Sequence, residues 1–310
     1  MPARPIMIAV GGDSGTGKRT LCRGLAAIFG ADRVATVVLD DYHSLDRAQR
    51  KLVGFTAADP RATNFAAMEE DLWALREGRA IEKPIYDHSD GTFKGTEHAE
   101  PHEIMIVQGL FPLYTRALRS LFDVTVWMDP QDDLRPAWKM QRDTMRRGYT
   151  EADAREEMDR RAPDVARYVR PQAKYADLTV TFYQPPAAAH EGDHTKLSAR
   201  IRKGGRFRAL DYAEFESAAT SIRASETTAT GGFPETVIEL DGTIATHVAA
   251  PLEEKLWRYI DGGTRPLPAA LGEYKNTRGE LQMGYALALA QLLIARRVVL
   301  IENERMEMAP

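Results

Sequence analysis

A glycine-rich segment near the start of the sequence has the residue types and spacing of a phosphate-binding loop. Residues 12–18 read Gly-Asp-Ser-Gly-Thr-Gly-Lys and fit the pattern GxxxxGK. The glycines let the backbone fold around phosphate oxygens with its N–H groups pointing inward, and Lys18 reaches the terminal phosphates. The apolar run Ile6–Val10 precedes the segment, and an amphipathic stretch, Lys18–Phe29, follows it. This order favours a nucleotide-binding loop over a plain glycine turn.

The two residues after this lysine bear on how a metal ion is held. The usual pattern has serine or threonine directly after the lysine, and its hydroxyl ligates magnesium. Here Arg19 takes that position and Thr20 follows, which makes Thr20 the candidate hydroxyl ligand. The predicted nucleotide-binding residues are Gly12, Asp13, Ser14, Gly15, Thr16, Gly17, Lys18, Arg19 and Thr20.

Polar residues also follow two further apolar runs. Asp40 and Asp41 come directly after Arg33–Leu39, and Gln108 ends the run Glu103–Gln108. Open parallel sheets bind ligands at the carboxyl ends of their strands, so these side chains are candidates for one site. At that edge Asp40 can accept the proton of a hydroxyl that attacks a phosphate, although a turn or N-cap aspartate fits equally well. Gln108 stands where an acidic residue normally assists magnesium, and its amide oxygen brings no negative charge.

A strongly charged stretch lies between residues 132 and 147. Lys139, Arg142 and Asp143 are spaced i, i+3 and i+4 with Arg147 one turn further on, so they share one helical face. A solvated charged face is the usual reason for such spacing. The alternative is an active-site helix, because arginine and lysine offset the negative charge of phosphate groups.

Short apolar runs alternate with amphipathic stretches along the chain. This alternation predicts an α/β fold with a P-loop NTPase-type parallel sheet flanked by helices, followed by a C-terminal α+β extension. A proline- and alanine-rich segment at residues 184–189 places the predicted boundary between a P-loop core, 1–186, and the extension, 187–310. The predicted strands are 6–10, 33–39, 103–108, 124–128, 178–182, 197–201 and 236–240. The predicted helices are 18–29, 65–77, 132–147, 151–161, 252–260 and 281–294.

Composition excludes several classes of protein. The chain has 310 residues and a formal net charge of −4, so no overall positive field attracts nucleic acid or an anionic membrane. Cys22 is the only cysteine, which rules out an internal disulfide and a multi-cysteine zinc site. The apolar stretch Met283–Ala295 is too short to cross a bilayer, and no signal peptide precedes the glycine loop. We therefore expect a cytoplasmic protein with neither nucleic-acid nor membrane partners.

Five further segments follow one another in a familiar order. They are Leu39–Arg47, Lys83–His88, Trp138–Tyr149, Arg161–Asp164 and Tyr168–Asp177. Together with the glycine loop they resemble the phosphoribulokinase family, within the uridine-kinase-like group of P-loop kinases. The resemblance covers about residues 6–182.

The resemblance implies ATP-dependent phosphorylation of ribulose 5-phosphate to ribulose 1,5-bisphosphate, the Calvin-cycle step before carbon fixation, with Mg²⁺ as the metal. It implies that Asp40 is the catalytic base and that Lys139 stabilises the transferring phosphoryl group. The loop residue Lys18 is the third predicted catalytic residue. It places Arg161 in a segment that the family uses for allosteric response. The implied substrate-binding residues are His43, Arg47, Tyr86, His88, Arg142 and Arg147, and the candidate metal ligands are Thr20, Gln108 and Asp143.

Two departures from the family pattern keep other functions open. Arg19 replaces the hydroxyl residue and Gln108 replaces a glutamate, and both positions bear on the metal. One alternative is a related P-loop kinase for another small hydroxylated substrate, such as a nucleoside or pantothenate. Another is a nucleotide-binding regulator with little catalysis. In each case the small-molecule substrate is the expected partner, and we expect a homo-oligomer, a dimer.

Overall fold

The computed structural model describes residues 4–184, 197–203, 222–228, 234–276 and 279–308. The chain divides into two compact units, described in turn below. The first unit contains residues 1–18, 32–125 and 132–175, and the second contains residues 19–31, 126–131 and 176–310. The predicted boundary between residues 186 and 187 lies outside the described residues and stays a prediction.

Strands and helices alternate through most of the described residues. The strands are β1 Ile6–Gly11, β2 Val34–Val38, β3 Ile81–Asp87, β4 Thr92–Ala99, β5 Ile104–Gly109, β6 Val124–Met128, β7 Leu178–Tyr183, β8 Ser198–Lys203, β9 Ile222–Thr228, β10 Pro234–Leu240, β11 Glu273–Lys275 and β12 Leu281–Met283. The helices are α1 Lys18–Phe29, α2 Arg47–Val53, α3 Phe65–Arg76, α4 Arg116–Leu121, α5 Leu134–Arg147, α6 Glu151–Asp164, α7 Thr246–Asp261 and α8 Tyr285–Glu307.

The first unit is built on three parallel strands in the order β2, β5, β1. β1 and β5 are buried along their whole length and carry almost only apolar residues, as strands covered on both faces do. Gln108 at the end of β5 lies in register between Val10 of β1 and Val38 of β2. The segments that follow these three strands therefore leave the sheet at one edge, where ligands of parallel sheets bind.

An antiparallel hairpin of β3 and β4 completes the strands of the first unit. Asp41, just after β2, accepts hydrogen bonds from Lys83 Nζ at 2.6 Å and from the Tyr86 backbone N–H at 3.0 Å. Lys83 is buried and also pairs with Glu97 of β4. Asp41 thus fixes the hairpin beside the end of β2, and it is this hairpin that carries Tyr86 and His88.

In the second unit, β6 and β7 are parallel, whereas β8, β10 and β9 continue from β7 in antiparallel order. α7 and α8 pack against each other, and α8 also contacts β8. The predicted α/β fold with an α+β C-terminal part is confirmed. No helix among the described residues is both long and apolar enough to cross a membrane.

A buried glutamine ties together three parts of the second unit. Gln291, in the apolar middle of α8, has no solvent exposure. Its amide oxygen accepts a hydrogen bond from the Gly272 N–H at 2.8 Å, and its amide nitrogen donates to the Thr20 carbonyl at 3.4 Å. α1 has a glycine, Gly24, where α8 approaches, because a Cβ there would overlap the Gln291 amide.

Two predicted helix starts are wrong, and one hairpin was not predicted. α8 begins at Tyr285 rather than residue 281, because Leu281–Met283 pairs with β11 instead. α7 begins at Thr246 rather than residue 252, because the helix runs through Pro251. The β3–β4 hairpin was not predicted, since most of β4 is exposed and lacks apolar alternation. By contrast α1 and β6 have the predicted bounds.

Candidate active site

The glycine-rich loop between β1 and α1 has a backbone that only glycine adopts readily. Gly12, Gly15 and Gly17 have φ angles of 145°, 89° and 90°. Lys18 Nζ donates hydrogen bonds to the carbonyls of Gly12 and Asp13, both at 2.7 Å. The ammonium group is therefore held over the loop, where a phosphate chain bound by the loop amides would meet it.

Helix α5 lies directly against this loop. A Cβ at Gly15 would sit 2.7 Å from the Cβ of Lys139, so glycine is needed for the approach. Arg142 Nη2 donates to Ser14 Oγ at 3.0 Å. The buried hydroxyl of Thr16 donates to the Asp13 carbonyl at 2.9 Å and stabilises the turn. The structure thus brings together the loop and the basic helix, two separate predictions from the sequence.

The loop also contains a buried carboxylate with two arginine partners. Asp13 Oδ2 pairs with Arg135 Nη1 at 2.8 Å, and Asp13 Oδ1 pairs with Arg161 Nη2 at 3.3 Å. The backbone N–H of Ser14 donates to Asp13 Oδ1 at 2.6 Å. Sequence reasoning included Asp13 in the loop but missed both arginines as its partners, because nothing in the spacing links residues so far apart.

The charged face of α5 surrounds one buried carboxylate. Asp143 Oδ2 pairs with Lys139 Nζ at 2.5 Å, and Asp143 Oδ1 pairs with Arg142 at 2.7 Å and Arg147 at 3.6 Å. We call these four residues the cation cluster. Although burial alone would raise the pKa of Asp143, the Arg142 charge and the Lys139 hydrogen bond hold it below its usual range. Burial and the nearby Arg161 lower the pKa of Lys139.

The surroundings of Asp143 bear on its predicted role as a metal ligand, which stays a prediction. Both oxygens of Asp143 are engaged by cations, so its surroundings do not support the predicted role as a metal ligand. The three positive groups around this carboxylate repel a further cation. Its contacts instead fix the positions of the three cations.

Asp40 lies in the turn that follows β2, at the carboxyl edge of the parallel strands. His88 Nε2 lies 3.2 Å from its Oδ2, and its side chain is 30% exposed. Burial opposes ionisation, but the His88 hydrogen bond and the charges of His88, His43 and Lys18 hold the pKa of Asp40 far below its usual range. Asp40 is also close enough to act on the pKa of Arg147. It therefore stands between the loop lysine and the hairpin.

His43 and Tyr86 pack against each other near Asp40. His43 is buried, its Nδ1 lies 3.3 Å from the Ala62 carbonyl, and its ring meets that of Tyr86 edge-on at 4.9 Å. Burial, partly opposed by the Asp40 charge, lowers the pKa of His43 to about 4. His43 is thus neutral at physiological pH. The Tyr86 ring also meets His88 edge-on at 5.2 Å.

Two arginines of α2 reach the hairpin. Arg47 Nη2 donates to the His88 carbonyl at 2.6 Å, and Gly91 leaves room for its side chain in the hairpin turn. Arg50, which sequence reasoning missed, is buried and donates to the Tyr86 hydroxyl at 2.7 Å. The signal for α2 was present, since Asp46 and the third residue after it form a capping box at its start.

The candidate metal ligands belong to different parts of the chain. Gln108 is buried at the carboxyl end of β5 in the first unit, and Thr20 and Arg19 belong to the second unit; their roles stay predictions. Among the residues that the structure describes, no group of three or more histidine, cysteine, aspartate or glutamate side chains could hold a metal ion. Gln108, which pairs with Val10 of β1 just before the glycine-rich loop, therefore offers an amide oxygen rather than a carboxylate.

The protein-family model described as "Phosphoribulokinase / Uridine kinase family" matches residues 7–185, more than half of the chain. The chain belongs to this family. The matched range contains the loop, Asp40, the hairpin and α5, which together form the first unit's polar edge.

Individual relatives agree with the family assignment. The chain is 43% identical to phosphoribulokinase from Synechocystis over 199 residues, which cover 64% of this chain and 59% of that protein. It is 30% identical to uridine kinase from Lactobacillus johnsonii over 64% of this chain and 95% of that protein. The solved phosphoribulokinase from Rhodobacter spheroides superposes with a TM-score of 0.56 at 17% identity, covering 82% of this chain and 98% of that one, and shows the shared fold. The chain spans about half to three fifths of the curated phosphoribulokinases it matches.

Proposed function

We propose that this chain is a kinase that uses ATP to phosphorylate ribulose 5-phosphate to ribulose 1,5-bisphosphate, the step before carbon fixation in the Calvin cycle. The observation that carries the proposal is the position of Asp40. Its carboxylate is ionised and partly exposed, and it lies near Lys18, Arg147 and the hairpin residue His88. A base in this position can serve a hydroxyl held next to a nucleotide on the loop. The 43% identical relative, named phosphoribulokinase, supports the choice of substrate.

The proposed reaction needs one proton acceptor and several cations. A substrate hydroxyl oxygen bonds to the γ-phosphorus of ATP as the bond to the β,γ-bridging oxygen breaks, and ADP departs with that electron pair. The hydroxyl proton passes to the carboxylate of Asp40. Because the transition state of phosphoryl transfer is loose, most of the catalysis comes from positioning and from charge stabilisation. Asp40 therefore needs to be ionised, which its low pKa ensures, and the substrate must be bound with its hydroxyl next to it.

The cations of the first unit are matched to two phosphorylated substrates. ATP and a sugar phosphate bring about six negative charges, each phosphate group contributing between one and two. On the loop side, Lys18, Lys139 and Arg142 lie against the loop backbone or its side chains. On the hairpin side, Arg47 donates a hydrogen bond to the backbone carbonyl of His88, whose ring pairs with Asp40. We assign the loop side to ATP and the hairpin side to the sugar phosphate.

Magnesium fits this site as an ion carried by the nucleotide. When bound, it neutralises charge on the phosphate oxygens that leave and transfer. Gln108 and Thr20 are the proposed protein contacts, and the phosphates and water supply the other oxygens, since Mg²⁺ usually keeps several waters. Asp143 is assigned to the cation cluster instead, because its oxygens contact Lys139, Arg142 and Arg147.

A second candidate is phosphorylation of a nucleoside. The uridine kinase relative matches over 95% of its own length, whereas the phosphoribulokinases match over about half to three fifths of theirs. Against this candidate, Arg47 on the hairpin side provides a cation that an uncharged nucleoside does not need. A homodimer and a cytoplasmic location remain predictions.

The proposal is tested by measuring ADP release with a panel of acceptors: ribulose 5-phosphate, other pentose phosphates, uridine and pantothenate. We expect the highest kcat/KM with ribulose 5-phosphate. The variant Arg47→Ala should raise the KM for ribulose 5-phosphate by about 10- to 100-fold and that for ATP much less, because a charged partner is lost. Arg79→Ala, at an exposed arginine of the same unit, is the matched control.

Three outcomes would contradict the proposal. Turnover with uridine and none with ribulose 5-phosphate would identify a nucleoside kinase. Equal effects of Arg47→Ala on the KM of both substrates would remove Arg47 from the sugar-phosphate side. Binding of ATP without turnover on any acceptor would indicate a nucleotide-binding regulator.

A further inference from the structure

The loop that is proposed to hold ATP contains a negative charge of its own. Asp13 is 6% exposed and lies between Gly12 and Ser14, among the backbone groups that would face phosphate oxygens. A carboxylate there repels a bound phosphate chain, and the repulsion is strong because little water separates the charges. A loop with this residue can bind a nucleotide well only if the carboxylate is neutralised.

Two arginines provide that neutralisation from two helices. Arg135 of α5 pairs with one oxygen of Asp13 at 2.8 Å, and Arg161 of α6 pairs with the other at 3.3 Å. Both arginines point to the same carboxylate from outside the loop, while the Ser14 N–H donates to it from inside at 2.6 Å. We call these two contacts the Asp13 ion pairs.

The ion pairs also connect the loop to the cation cluster. Arg135 lies one turn before Lys139 on α5, and Lys139 is the residue packed against Gly15. Arg161, which is 7% exposed, uses Nη2 for Asp13, and its buried Nε makes no hydrogen bond within the described part of the chain. The guanidinium of Arg161 is thus directed at the loop.

We propose that Arg135 and Arg161 are positioning residues that act on ATP through Asp13, by masking its charge and holding the loop in the nucleotide-binding conformation. Neither guanidinium needs to touch the nucleotide. The role of Arg161 then differs from the allosteric role that the family resemblance implied for its segment. This inference rests on the proposed binding of ATP at the loop.

The proposal and a direct contact between Arg161 and phosphate predict different effects of a second substitution, at Asp13, on nucleotide affinity. If Arg161 masks Asp13, then removing Arg161 leaves a repulsive carboxylate, and removing that carboxylate as well should restore binding. If Arg161 contacts the phosphates itself, removing Asp13 cannot replace the lost contact. Suppression of one substitution by a second therefore separates the two roles.

The experiment measures the Kd of a non-hydrolysable ATP analogue by titration calorimetry for the parent, Arg161→Ala, Asp13→Asn and the double variant. We expect Arg161→Ala to weaken binding by about 10- to 100-fold. The double variant should bind within about 2-fold of Asp13→Asn alone, because the loss of Arg161 then leaves no carboxylate unpaired. Arg161→Lys, which keeps the charge, should lie between parent and alanine variant. Arg155→Ala, at an exposed arginine of α6, is the control.

A double variant that binds no better than Arg161→Ala overturns the proposal, as does an unchanged Kd in Arg161→Ala. If Arg161→Ala does not fold, the same series on Arg135, whose side chain is 22% exposed, gives the same test. Because the analogue titration requires no sugar phosphate and no turnover, failure of the proposed kinase activity is seen separately, in the ADP-release assay.

Discussion

Asp40 and Asp143 are two carboxylates of the first unit whose pKa values both lie below the usual range, yet their surroundings differ in kind. Asp143 is 4% exposed and has three cations on its two oxygens. Asp40 is 30% exposed and has one histidine at 3.2 Å. Asp143 is therefore the common partner of three cations, whereas Asp40 keeps part of its side chain exposed to solvent.

The difference teaches that a lowered pKa does not by itself identify a base. In the cation cluster the carboxylate of Asp143 holds Lys139, Arg142 and Arg147 in place. Its pKa is low because of these positive partners. On the hairpin side the low pKa of Asp40 accompanies a side chain that is 30% exposed. Exposure and the number of cation contacts, rather than pKa, separate the two roles.

The largest effect is expected from Asp143→Asn. Removing the charge leaves three cations, one of them buried, without their partner, and the loss of one member of a buried ion pair costs about 3–5 kcal/mol of unfolding free energy. Urea unfolding measures this loss, with Asp133→Asn at an exposed position before α5 as control. The Mg²⁺ concentration for half-maximal activity should stay unchanged. A raised Mg²⁺ requirement at unaltered stability would make Asp143 a metal ligand after all.

The next largest effect is expected from acid, which should reduce the stability contributed by His43 at a higher pH than the stability contributed by Asp143. The pKa of His43 is lowered from 6.5 to about 4, so below about pH 6.5 the unfolded chain binds a proton that the folded protein excludes. The stability from neutral His43 is complete above about pH 6.5 and is lost as pH falls toward 4, by about 3 kcal/mol at most. The lowered pKa of Asp143 places its own loss below its ordinary value of 3.8.

Urea unfolding at pH 7, 5.5 and 4 (about the range over which histidine titrates) measures this contrast. The parent should lose stability over this range, and His43→Gln should lose much less. Equal pH dependence in both proteins would show that His43 titrates normally and that the acid sensitivity lies elsewhere.

Replacing the exposed carboxylate should act on the reaction rather than on the fold. Asp40→Asn should lower kcat by about 10² or more while the Kd for ATP changes little, because the amide cannot accept the hydroxyl proton. Asp32→Asn, at an exposed aspartate of the same unit, should behave like the parent. Turnover within a few-fold of the parent would exclude Asp40 as the base, and the proposed difference in role between Asp40 and Asp143 would then be wrong.

The smallest effect concerns a new carboxylate at the sheet edge. Gln108→Glu should raise kcat by about 10-fold at saturating substrates, because a negative charge near the metal helps to hold it in the transition state. A Mg²⁺ titration of kcat for both forms measures the gain. A parent enzyme that is faster than this variant would show that the amide is adapted to its site.

Much of the first unit could be predicted from local sequence. The glycine pattern and the strand before it determine the loop, and α1 has its predicted bounds because its apolar stripe repeats at helical spacing. Asp40 and Gln108 were placed at one edge by the rule that parallel strands present their carboxyl ends together, and the register of β2, β5 and β1 agrees.

What could not be predicted depends on contacts between distant residues. The spacing of Lys139, Arg142 and Asp143 gives a shared helical face, but not whether that face is buried against the loop. The pairing of Asp13 with Arg161 joins residues whose separation carries no signal in a single sequence. The β3–β4 hairpin was missed because exposed strands carry little apolar pattern, although it brings His88 to Asp40.

The packing of Gln291 against Gly24 has a consequence for how this sequence can change over time. A larger residue at position 24 collides with the glutamine, and a smaller residue at position 291 leaves the buried Gly272 N–H unpaired, at a cost of about 1–3 kcal/mol. Neither position can vary first without passing through a weakened intermediate. Positions 24 and 291 are therefore expected to vary together among related sequences, and a chimera that exchanges only one of these two segments with a relative should lose stability.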